Sequence, residues 1–439
     1  MTDRTTVQSP VHRSRGHGPP FRVLLSAFGC IAGHGGEPGT GWGWAQALAE
    51  AGHDVTVLTH PKGRAENDAW LKAHPAPELR IEYVDSGVWT PAATFISRSG
   101  KEWWDSKGWQ LPYLAWQQAA LGRARKIHQR DCFDVVHHVS YCTLVTGSPL
   151  WRLGIPFVFG PVGGAQRSPR GAAPLYGEER YVERLRSFVV SMTRVNPFAR
   201  RAVHNAAVVL TTNGDTASVV SSIGARRLEM MCGAGIDADA IGQGSRQGST
   251  AESTPSGRAR VIWVGRLNTW KGPGLAIDAF ASAARRVDAE LHIVGTGPLA
   301  EHIRDRIAAH DLQDRVLLHG NVPWDEVQAL LASSDVMLFT SLRDTFATQI
   351  VEGAFAGLPI VSLDLHGVAS LVPNDAAVKV PFTTLRETVG GLGDALTSVL
   401  SDSERRSAMS RAARRFGEDQ TWSRRAEHMT AIYREVLDA

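Results

Sequence analysis

Short runs of apolar and β-branched residues recur along the chain, and segments with a helical spacing of apolar residues lie between them. Such runs predict buried strands, and their alternation with helices predicts parallel sheets covered by helices. A first set comprises FRVLLSAF (21–28), HDVTVLTH (53–60), LRIEYVDS (79–86), FDVVHHVS (133–140), PFVFGPVG (156–163) and AAVVLTTN (206–213). A second set comprises ARVIWVGR (259–266), ELHIVGTG (290–297), RVLLHGNV (315–322), DVMLFTS (335–341) and LPIVSLD (358–364).

The two sets predict an α/β protein with two doubly wound domains that face a cleft. We place these domains at 21–236 and 237–418, and the Gly, Ser and Thr-rich stretch 242–258 between the strand sets is predicted to be a flexible loop. Residues 419–439 carry apolar residues at helical spacing and predict an amphipathic helix. Ligands of open α/β sheets bind beyond the carboxyl ends of the strands, so chemistry is expected there.

Composition narrows the protein class without naming a function. The chain has 439 residues, 43% apolar and 21% charged, and its formal net charge of +3 gives no indication of a nucleic-acid partner. Residues 1–20 are rich in Pro, Arg and His and predict a disordered tail. With neither an apolar leader nor a run of about 18 apolar residues, we expect a cytoplasmic protein. Its four scattered cysteines predict reduced, mostly buried thiols.

A glycine-rich stretch follows the first predicted strand. Gly39, Gly41 and Gly43 alternate before a predicted helix, an arrangement that lets backbone N–H groups approach a phosphate; a tight turn is the alternative interpretation. A dinucleotide site would place an acid about 20 residues on, at the end of the second strand, where His60 stands instead, which argues against a nicotinamide oxidoreductase. No GK[ST] follows the glycines, which excludes a Walker A kinase. The sequence predicts no metal site, because its DAD at 237–239 falls on a loop and not at a strand end.

Basic and acidic residues follow strands of the second set. Arg266 and Lys271 come after the strand that ends at Gly265, and together they suit two oxygens of a diphosphate, although each is also compatible with a solvated surface charge. Asp344 and Thr345 are predicted to cap a helix that Gly357 and Pro359 end. Glu352 falls on the helix side that also carries Ile350 and Val351, so its partial burial requires a partner such as a ribose diol. A helix cap with an exposed Glu352 is the alternative.

Two adjacent histidines, His137 and His138, end a strand of the first set. Successive strand residues point to opposite faces, so at most one of them is expected to face the cleft. Eight of the 13 tryptophans precede residue 117, which suits stacking on a sugar or a cage for a cationic acceptor, with core packing as the alternative.

Several of these motifs, in this order, resemble a retaining glycosyltransferase of family four. They are the glycine-rich loop with GHDVTVLTH, the DVVHH strand end, GAGID (233–237), VGRLNTWKG, VGTGPL and the paired acids before AGLPIV. EPGTGWGWA and FGPVGGAQ resemble a subgroup with an EPGxGW loop and Asp as the first acid. The similarity extends from about residue 21 to 437 and implies the GT-B fold, two Rossmann-like domains with a carboxyl-terminal helix that crosses back to the first.

The resemblance implies a nucleotide-diphosphate sugar held by the second domain and an acceptor held by the first. Arg266 and Lys271 match the pair that stabilises the diphosphate, Asp344 the acid on the donor sugar, and Glu352 the acid on the ribose. His138, with His137 close behind, is our choice for the active-site histidine, since Val139 occupies the usual position. The expected donor contacts are Gly39, Thr40, Gly41, Gly265, Arg266, Lys271, Gly297, Val322, Asp344, Thr345, Phe346, Ala347, Thr348 and Glu352.

Two further departures from the family pattern affect the expected donor site. Asp344 is one methylene shorter than the usual Glu, so its contacts with the sugar are expected to shift or to pass through water. Phe346 and Ala347 stand where many members have Gly, which predicts a narrower donor pocket.

The expected function is therefore retaining transfer from a UDP- or GDP-sugar to a hydroxyl or thiol of a small-molecule acceptor in bacterial secondary metabolism or glycoconjugate synthesis, with no cofactor or metal. Alternatives are glycolipid or polysaccharide synthesis at a membrane, a sugar-nucleotide epimerase and a sugar-binding protein. The segment 181–203 mixes Arg with Phe, Val and Met, and we expect a helix buried on the domain with Arg outside, although membrane contact is the other interpretation. The sequence does not predict an oligomeric state.

Overall fold

A computed structural model describes residues 20–85, 110–238 and 257–439. Its strands form two separate sheets. The first sheet contains β1 (Arg22–Ala27), β2 (Asp54–Thr59), β3 (Leu79–Tyr83), β4 (Val135–Ser140), β5 (Phe157–Val162), β6 (Val208–Thr211) and β7 (Leu228–Met230). The second contains β8 (Ala259–Val264), β9 (Ala289–Val294), β10 (Val316–Gly320), β11 (Val336–Phe339), β12 (Ile360–Leu363) and β13 (Ala377–Val380).

Helices connect these strands and cover both sheets. In the first domain they are α1 (Gly36–Glu50), α2 (Arg64–Ala73), α3 (Gln110–Asp131), α4 (Arg180–Met192), α5 (Pro197–Asn205) and α6 (Gly214–Ile223). In the second they are α7 (Pro273–Ala284), α8 (Ala300–Ala309), α9 (Trp324–Ala332), α10 (Thr348–Phe355), α11 (His366–Leu371), α12 (Leu385–Ser401) and α13 (Ser403–Glu418), and α14 (Trp422–Asp438) ends the chain. Short 3-10 helices cover Pro61–Gly63, Leu150–Leu153, Arg170–Glu179, Thr193–Val195 and Thr269–Lys271.

Both sheets have doubly wound topology. The strand order is β3-β2-β1-β4-β5-β6-β7 in the first sheet and β10-β9-β8-β11-β12-β13 in the second. Neighbouring strands pair in parallel throughout both. Each strand set in the sequence therefore forms its own domain, as predicted.

The sequence pattern missed two edge strands. β7 has three residues, none of them buried, and β13 contains Lys379 between apolar neighbours. An edge strand meets the core less completely than a central one, so it does not require a continuous apolar run.

The terminal helix α14 packs on the first domain and confirms the predicted crossing back. Met429, Ile432 and Tyr433 are buried in the same apolar cluster as Trp44 and Leu48 of α1. At the crossing, Ile236 and Thr421 form an isolated parallel bridge. The core of the first domain is therefore completed by the last helix of the chain.

Several predictions fall outside the described residues. These are the tail at 1–20 except for residue 20, most of the loop at 242–258, and Trp89, Trp103, Trp104 and Trp109 of the tryptophan cluster. Trp44 and Trp116 are fully buried, which favours core packing for these two. The four cysteines are free, and among the described residues no helix combines the length and apolarity needed to cross a bilayer.

Candidate active site

Two residues predicted to act on the donor meet at the carboxyl ends of the second sheet. Lys271 ends the 3-10 helix after β8, and the Asn268 side chain caps that helix by accepting a hydrogen bond from the Lys271 N–H at 3.2 Å. Asp344 lies in the loop after β11, and its carboxylate forms an ion pair with the Lys271 ammonium. The Ser341 hydroxyl donates to the same carboxylate at 3.3 Å. A cation and an anion from separate strand ends therefore meet at the sheet edge, with about a fifth of each side chain exposed.

The prediction that Asp344 and Thr345 cap a helix is wrong. Helix α10 begins only at Thr348, and its N-cap residue Ala347 makes no side-chain cap. The Asp344 carboxylate is occupied by Lys271 and by the N–H of Thr345, 3.0 Å away. Because these contacts fix Asp344 ahead of the helix, the acid is directed toward the basic residue and not toward the helix end.

The loop 343–347, hereafter the acid loop, is held by the first domain. The Gln166 amide donates to the Thr345 hydroxyl at 3.0 Å, and the Asn213 amide donates to the Thr345 carbonyl at 3.2 Å. A Cβ added to Gly163 would lie 2.1 Å from Thr345 Cγ2, so only glycine permits this approach. The two domains therefore position the acid loop together.

Sequence reasoning missed Gln166 and Asn213 as contributors to this site. The signal available was the GPVGGAQ stretch, which contains the end of a buried strand and the residues after it and supplies both Gly163 and Gln166. A second interdomain contact joins His366 Nδ1 to the Asp215 carboxylate at 2.8 Å. His366 also lies 3.2 Å from the Leu342 carbonyl through Nε2, so it links the first domain to the strand end before the acid loop.

The apolar residues of the expected donor site pack into the second domain. Ala347 is buried, and Phe346 and Val322 pack against the same apolar cluster. A Cβ on Gly367 would lie 2.7 Å from the Phe346 ring, which shows how closely that ring meets the start of α11. Narrowing of the donor pocket by Phe346 and Ala347 stays a prediction.

Glu352 is half-buried on α10, as its spacing predicted. Its carboxylate accepts a hydrogen bond from the Trp324 indole N–H at 3.3 Å. Burial raises the pKa of Glu352 above its ordinary value, because the charged form loses hydration. The indole supplies one donor, and a two-oxygen acceptor of this kind is suited to further donors such as a diol.

The glycine-rich stretch lies inside a helix and not before it, which corrects the predicted order. Helix α1 begins at Gly36, and the Thr40 hydroxyl donates back to the Gly36 carbonyl at 3.0 Å. A Cβ on Gly39 would lie 1.8 Å from the His34 carbonyl, and one on Gly41 would lie 2.0 Å from the Gly29 carbonyl. These glycines allow the first turns of α1 to pack on the backbone of the preceding loop. A role for Gly39, Thr40 and Gly41 in phosphate binding stays a prediction.

The same stretch contributes an acid that sequence reasoning missed. The Glu37 carboxylate accepts a hydrogen bond from the Cys142 N–H, which lies beyond the end of β4. Burial is the main cause that raises the pKa of Glu37, and this hydrogen bond partly opposes it. A carboxyl group with a raised pKa beside a strand end of the first domain is a functional-site candidate.

Both candidate histidines are fully buried. His137 lies 2.6 Å from the Tyr433 hydroxyl through Nδ1 and 2.6 Å from the Gly160 carbonyl through Nε2. His138 Nε2 lies 3.2 Å from the Tyr113 hydroxyl. Burial lowers the pKa of His137 to about 3 and that of His138 to about 4, so both are neutral at pH 7. His137 has both nitrogens engaged within the first domain, and a catalytic role for either histidine stays a prediction.

The loops after β8 and β9 are joined by backbone hydrogen bonds. Leu267 N–H donates to the Thr296 carbonyl at 2.9 Å, and Leu299 N–H donates to the Leu267 carbonyl at 3.0 Å. A Cβ on Gly297 would lie 2.4 Å from that Leu267 carbonyl. Gly265 is buried, whereas Arg266 is exposed at the strand end. The predicted donor residues Gly265, Arg266 and Gly297 thus share one edge of the second sheet.

Comparison with known proteins identifies the second domain. Residues 248–416 match the family "Glycosyl transferases group 1". The chain is a glycosyltransferase, and its second domain is similar to the group 1 enzymes. The matched region contains the Lys271–Asp344 pair and Glu352.

Relatives and a solved structure extend the similarity to the whole enzyme. The chain is 24% identical over 364 residues to a phosphatidylinositol N-acetylglucosaminyltransferase subunit of Arabidopsis thaliana, covering 82% of this chain and 71% of that protein. It is 23% identical over 403 residues to D-inositol 3-phosphate glycosyltransferase of Arthrobacter sp. (strain FB24), covering 90% and 88%. The structure of Anabaena HepE in complex with UDP and glucose aligns with a TM-score of 0.56 at 15% identity, covering 94% and 100%. The fold of this glycosyltransferase is GT-B.

Proposed function

We propose that this glycosyltransferase transfers a sugar from a nucleotide-diphosphate donor to an acceptor hydroxyl or thiol, with retention of configuration and without a metal ion. The observation that carries the proposal is the Lys271–Asp344 ion pair at the carboxyl ends of the second sheet. A fixed ammonium at this edge is suited to a departing diphosphate, and the adjacent carboxylate is suited to a sugar hydroxyl. The described HepE complex, which contains UDP and glucose, supports this class of donor.

Such a transfer requires stabilisation of the negative charge that develops on the leaving diphosphate. The bond between the anomeric carbon and the diphosphate oxygen breaks, and its electron pair stays on that oxygen. The acceptor oxygen or sulfur forms the new bond to the anomeric carbon, and its proton passes to the leaving diphosphate. In the proposal, Lys271 and the exposed Arg266 stabilise the diphosphate, while Asp344 orients the sugar and Glu352 holds the ribose.

The contact between Lys271 and Asp344 places the residue proposed to bind the diphosphate beside the residue proposed to orient the sugar. Asp344 is held by Ser341 and by its own neighbour Thr345, so the carboxylate orients the ammonium that it pairs with. A hydrogen-bonded and partly buried charge of this kind needs little reorganisation when the leaving group departs. The bacterial setting, the cytoplasmic location and the choice between UDP and GDP belong to the proposal as well.

Replacement of Lys271 tests the proposal. We expect Lys271→Ala to lower turnover by about 100- to 1,000-fold, because one preorganised donor to the developing charge is lost. Donors are first found by a thermal-shift screen of nucleotide sugars, and products with candidate acceptors are then measured by mass spectrometry. Lys126→Ala, which removes an exposed lysine of α3, is the matched control and should leave turnover unchanged.

Three results contradict the proposal. Turnover of Lys271→Ala within about threefold of the wild-type rate would remove the residue from the mechanism. Loss of turnover on addition of a chelator would show that a metal ion bears the diphosphate charge. Release of an altered free sugar without any acceptor would instead identify the epimerase alternative.

The acceptor has two candidate classes. A small molecule in secondary metabolism is the class favoured by the sequence. A lipid-borne acceptor is favoured by one feature of the structure, the exposed apolar face of α4 and the turn after it.

A further inference from the structure

Helix α4 exposes apolar side chains that the sequence led us to expect on its buried side. Seven of the eleven large apolar side chains that are exposed in the described part of the chain belong to residues 181–198, and they are 44% to 62% exposed. They are Tyr181, Leu185, Phe188, Val189, Met192, Val195 and Phe198. The expected burial of the apolar side is therefore wrong for α4, whereas Arg184, Arg194, Arg200 and Arg201 are exposed as expected.

The exposed residues form one continuous stripe. Tyr181, Leu185, Phe188, Met192 and Val195 are spaced by four, three, four and three residues, which places them on one side of α4 and of the 3-10 turn that follows. The opposite side is anchored, because Val190 and Thr193 are buried. Arg186 faces the domain as well, donating to the Gln166 carbonyl at 3.0 Å. Helix α4 therefore packs on the first domain through Val190, Thr193 and Arg186, and the apolar stripe stays outside.

Arginines surround the stripe. A cavity of about 500 Å³ beside it is lined by Arg167, Arg170, Arg180 and Arg184 together with Phe188. Arg194, Arg200 and Arg201 are exposed further along the same segment. Two acids, Glu178 and Glu179, precede α4 in the sequence, and Glu179 is exposed. Glu183 also lines the cavity, but its carboxylate is occupied by Ser168, Arg186 and Arg343. The surface around the stripe is therefore strongly basic.

We propose that this surface, α4 with the turn 193–198, docks on an anionic phospholipid bilayer. Apolar side chains flanked by arginines fit the boundary between headgroups and acyl chains, where the apolar groups insert and the guanidinium groups bind phosphates. The arginine-lined cavity then receives lipid phosphate groups, for which the planar guanidinium is well suited. A contiguous group of exposed apolar side chains rimmed by polar residues is typical of an interaction surface.

Charge favours a bilayer over a second copy of the chain. Two copies paired through this stripe would bring their arginine-rich rims together, and like charges at a partly desolvated interface repel. An anionic membrane neutralises the same arginines and also accepts the apolar stripe. A single occupant thus satisfies both the apolar and the charged parts of the surface.

The docked surface lies close to the candidate active site. Glu183 of α4 is 3.6 Å from Arg343, the residue before Asp344, and Arg186 contacts Gln166, which donates to Thr345 of the acid loop. Docking would therefore bring the membrane near the edge of the interdomain site. The inference favours a lipid-borne acceptor and in that respect rests on the proposed transfer, although docking itself requires neither donor nor acceptor.

Vesicle co-sedimentation of the full chain tests the proposal. We expect the wild-type protein to sediment with vesicles of phosphatidylglycerol and phosphatidylcholine and not with vesicles of phosphatidylcholine alone. Leu185→Ser/Phe188→Ser should lower the partition coefficient at least tenfold, and Arg180→Glu/Arg184→Glu should lower it by about fivefold or more for each arginine. Leu317→Ser/Leu318→Ser is the matched control, because it changes two exposed apolar residues of β10 in the other domain and should bind like the wild type.

Three outcomes would overturn the proposal. The first is wild-type protein that stays in the supernatant with anionic vesicles. The second is an apolar double variant that sediments as well as the wild type while circular dichroism shows it folded. The third is a wild-type dimer in sedimentation velocity that Leu185→Ser/Phe188→Ser converts to a monomer, which would assign the stripe to a second copy. Because no substrate is present, failure here leaves the Lys271 test unaffected.

Discussion

At the scale of single residues, the ionisable groups of the candidate site lie in two kinds of environment. Lys271 and Asp344 neutralise each other at the sheet edge, whereas Glu352 and Glu37 are carboxyl groups whose pKa burial raises. Desolvation favours the neutral form of a carboxyl group, so Glu352 and Glu37 bind a proton more readily than an exposed glutamate does.

The raised pKa of Glu352 predicts pH-dependent nucleotide binding. If the Glu352 carboxylate accepts hydrogen bonds from the ribose, lowering the pH through its raised pKa protonates the carboxyl group and removes acceptor capacity, so affinity falls. Because the pKa lies above the ordinary 4.5, the loss begins at a higher pH than it would for an exposed Glu. Isothermal titration of the nucleotide between about pH 8 and pH 5 measures the effect.

The variant Glu352→Gln isolates this contribution. It should bind more weakly at high pH and show little further loss as the pH falls, because its amide does not titrate. Glu301→Gln, an exposed acid in the first turn of α8, should keep the wild-type profile. A wild-type affinity that is constant over the whole range would remove Glu352 from the ribose site.

At the scale of secondary structure elements, the close packing of α1 explains its glycines. Gly39 and Gly41 face the backbone of the loop before the helix, and a Cβ on Gly43 would lie 2.1 Å from Trp422 of α14. Trp422 also packs edge-on against Trp44, with ring centroids 5.5 Å apart. Each glycine lowers helix propensity, but it lets α1 approach the neighbouring elements.

Substitution of Gly43 tests this packing. We expect Gly43→Ala to lower the free energy of unfolding by about 1 to 3 kcal/mol, because the new methyl group overlaps the Trp422 ring. Gly122→Ala is the matched control, since Gly122 lies inside α3 with no atom near its Cβ position and should gain about 0.5 to 1 kcal/mol. Urea denaturation of the three proteins provides the comparison.

A double variant makes the assignment specific. Trp422→Ala should remove most of the additional cost of Gly43→Ala, because the overlapping ring is absent in that background. Equal stability of Gly43→Ala and the wild type would show that α14 adjusts to the methyl group and that the glycine is not required for the contact.

At the scale of the whole molecule, each domain depends on residues from the other part of the chain. Helix α14, the last element in sequence, completes the core of the first domain, and its Tyr433 hydroxyl lies 2.6 Å from His137 of β4. In the opposite direction, Gln166 and Asn213 of the first domain hold the acid loop of the second. The site is therefore a property of the assembled molecule, not of the family-matched domain alone.

Removal of α14 tests this dependence. A chain that ends at Thr421 should lose amide protection in α1, because Met429, Ile432 and Tyr433 no longer cover the apolar face that α1 shares. Protection of α7 in the second domain should stay unchanged, which supplies an internal control. Hydrogen exchange resolved by peptide mass spectrometry measures both regions.

A milder variant tests the buried hydrogen bond of α14 without removing the helix. Tyr433→Phe keeps α14 but leaves His137 Nδ1 without that partner, and we expect a loss of about 1 to 3 kcal/mol in the free energy of unfolding. Full protection of α1 in the truncated chain would contradict the dependence of the first domain on the terminal helix.

The sequence by itself determined the two doubly wound domains, the crossing helix and the positions of the charged residues after the strands. Buried central strands require continuous apolar runs, so their pattern is visible in local sequence, and the GT-B resemblance followed from motifs in order. Lys271 and Asp344 were both identified in this way, since each follows a strand whose carboxyl end lies at the ligand edge.

Only the tertiary structure decided which side chains these residues meet. The cap prediction for Asp344 failed because local sequence favoured a helix cap, whereas a lysine 73 positions away captured the carboxylate. Gln166 and the outward apolar face of α4 were missed for the same reason, since their roles depend on contacts between distant segments. Local pattern specifies which elements form, but long-range contacts determine which face each element buries and which partner satisfies each charge.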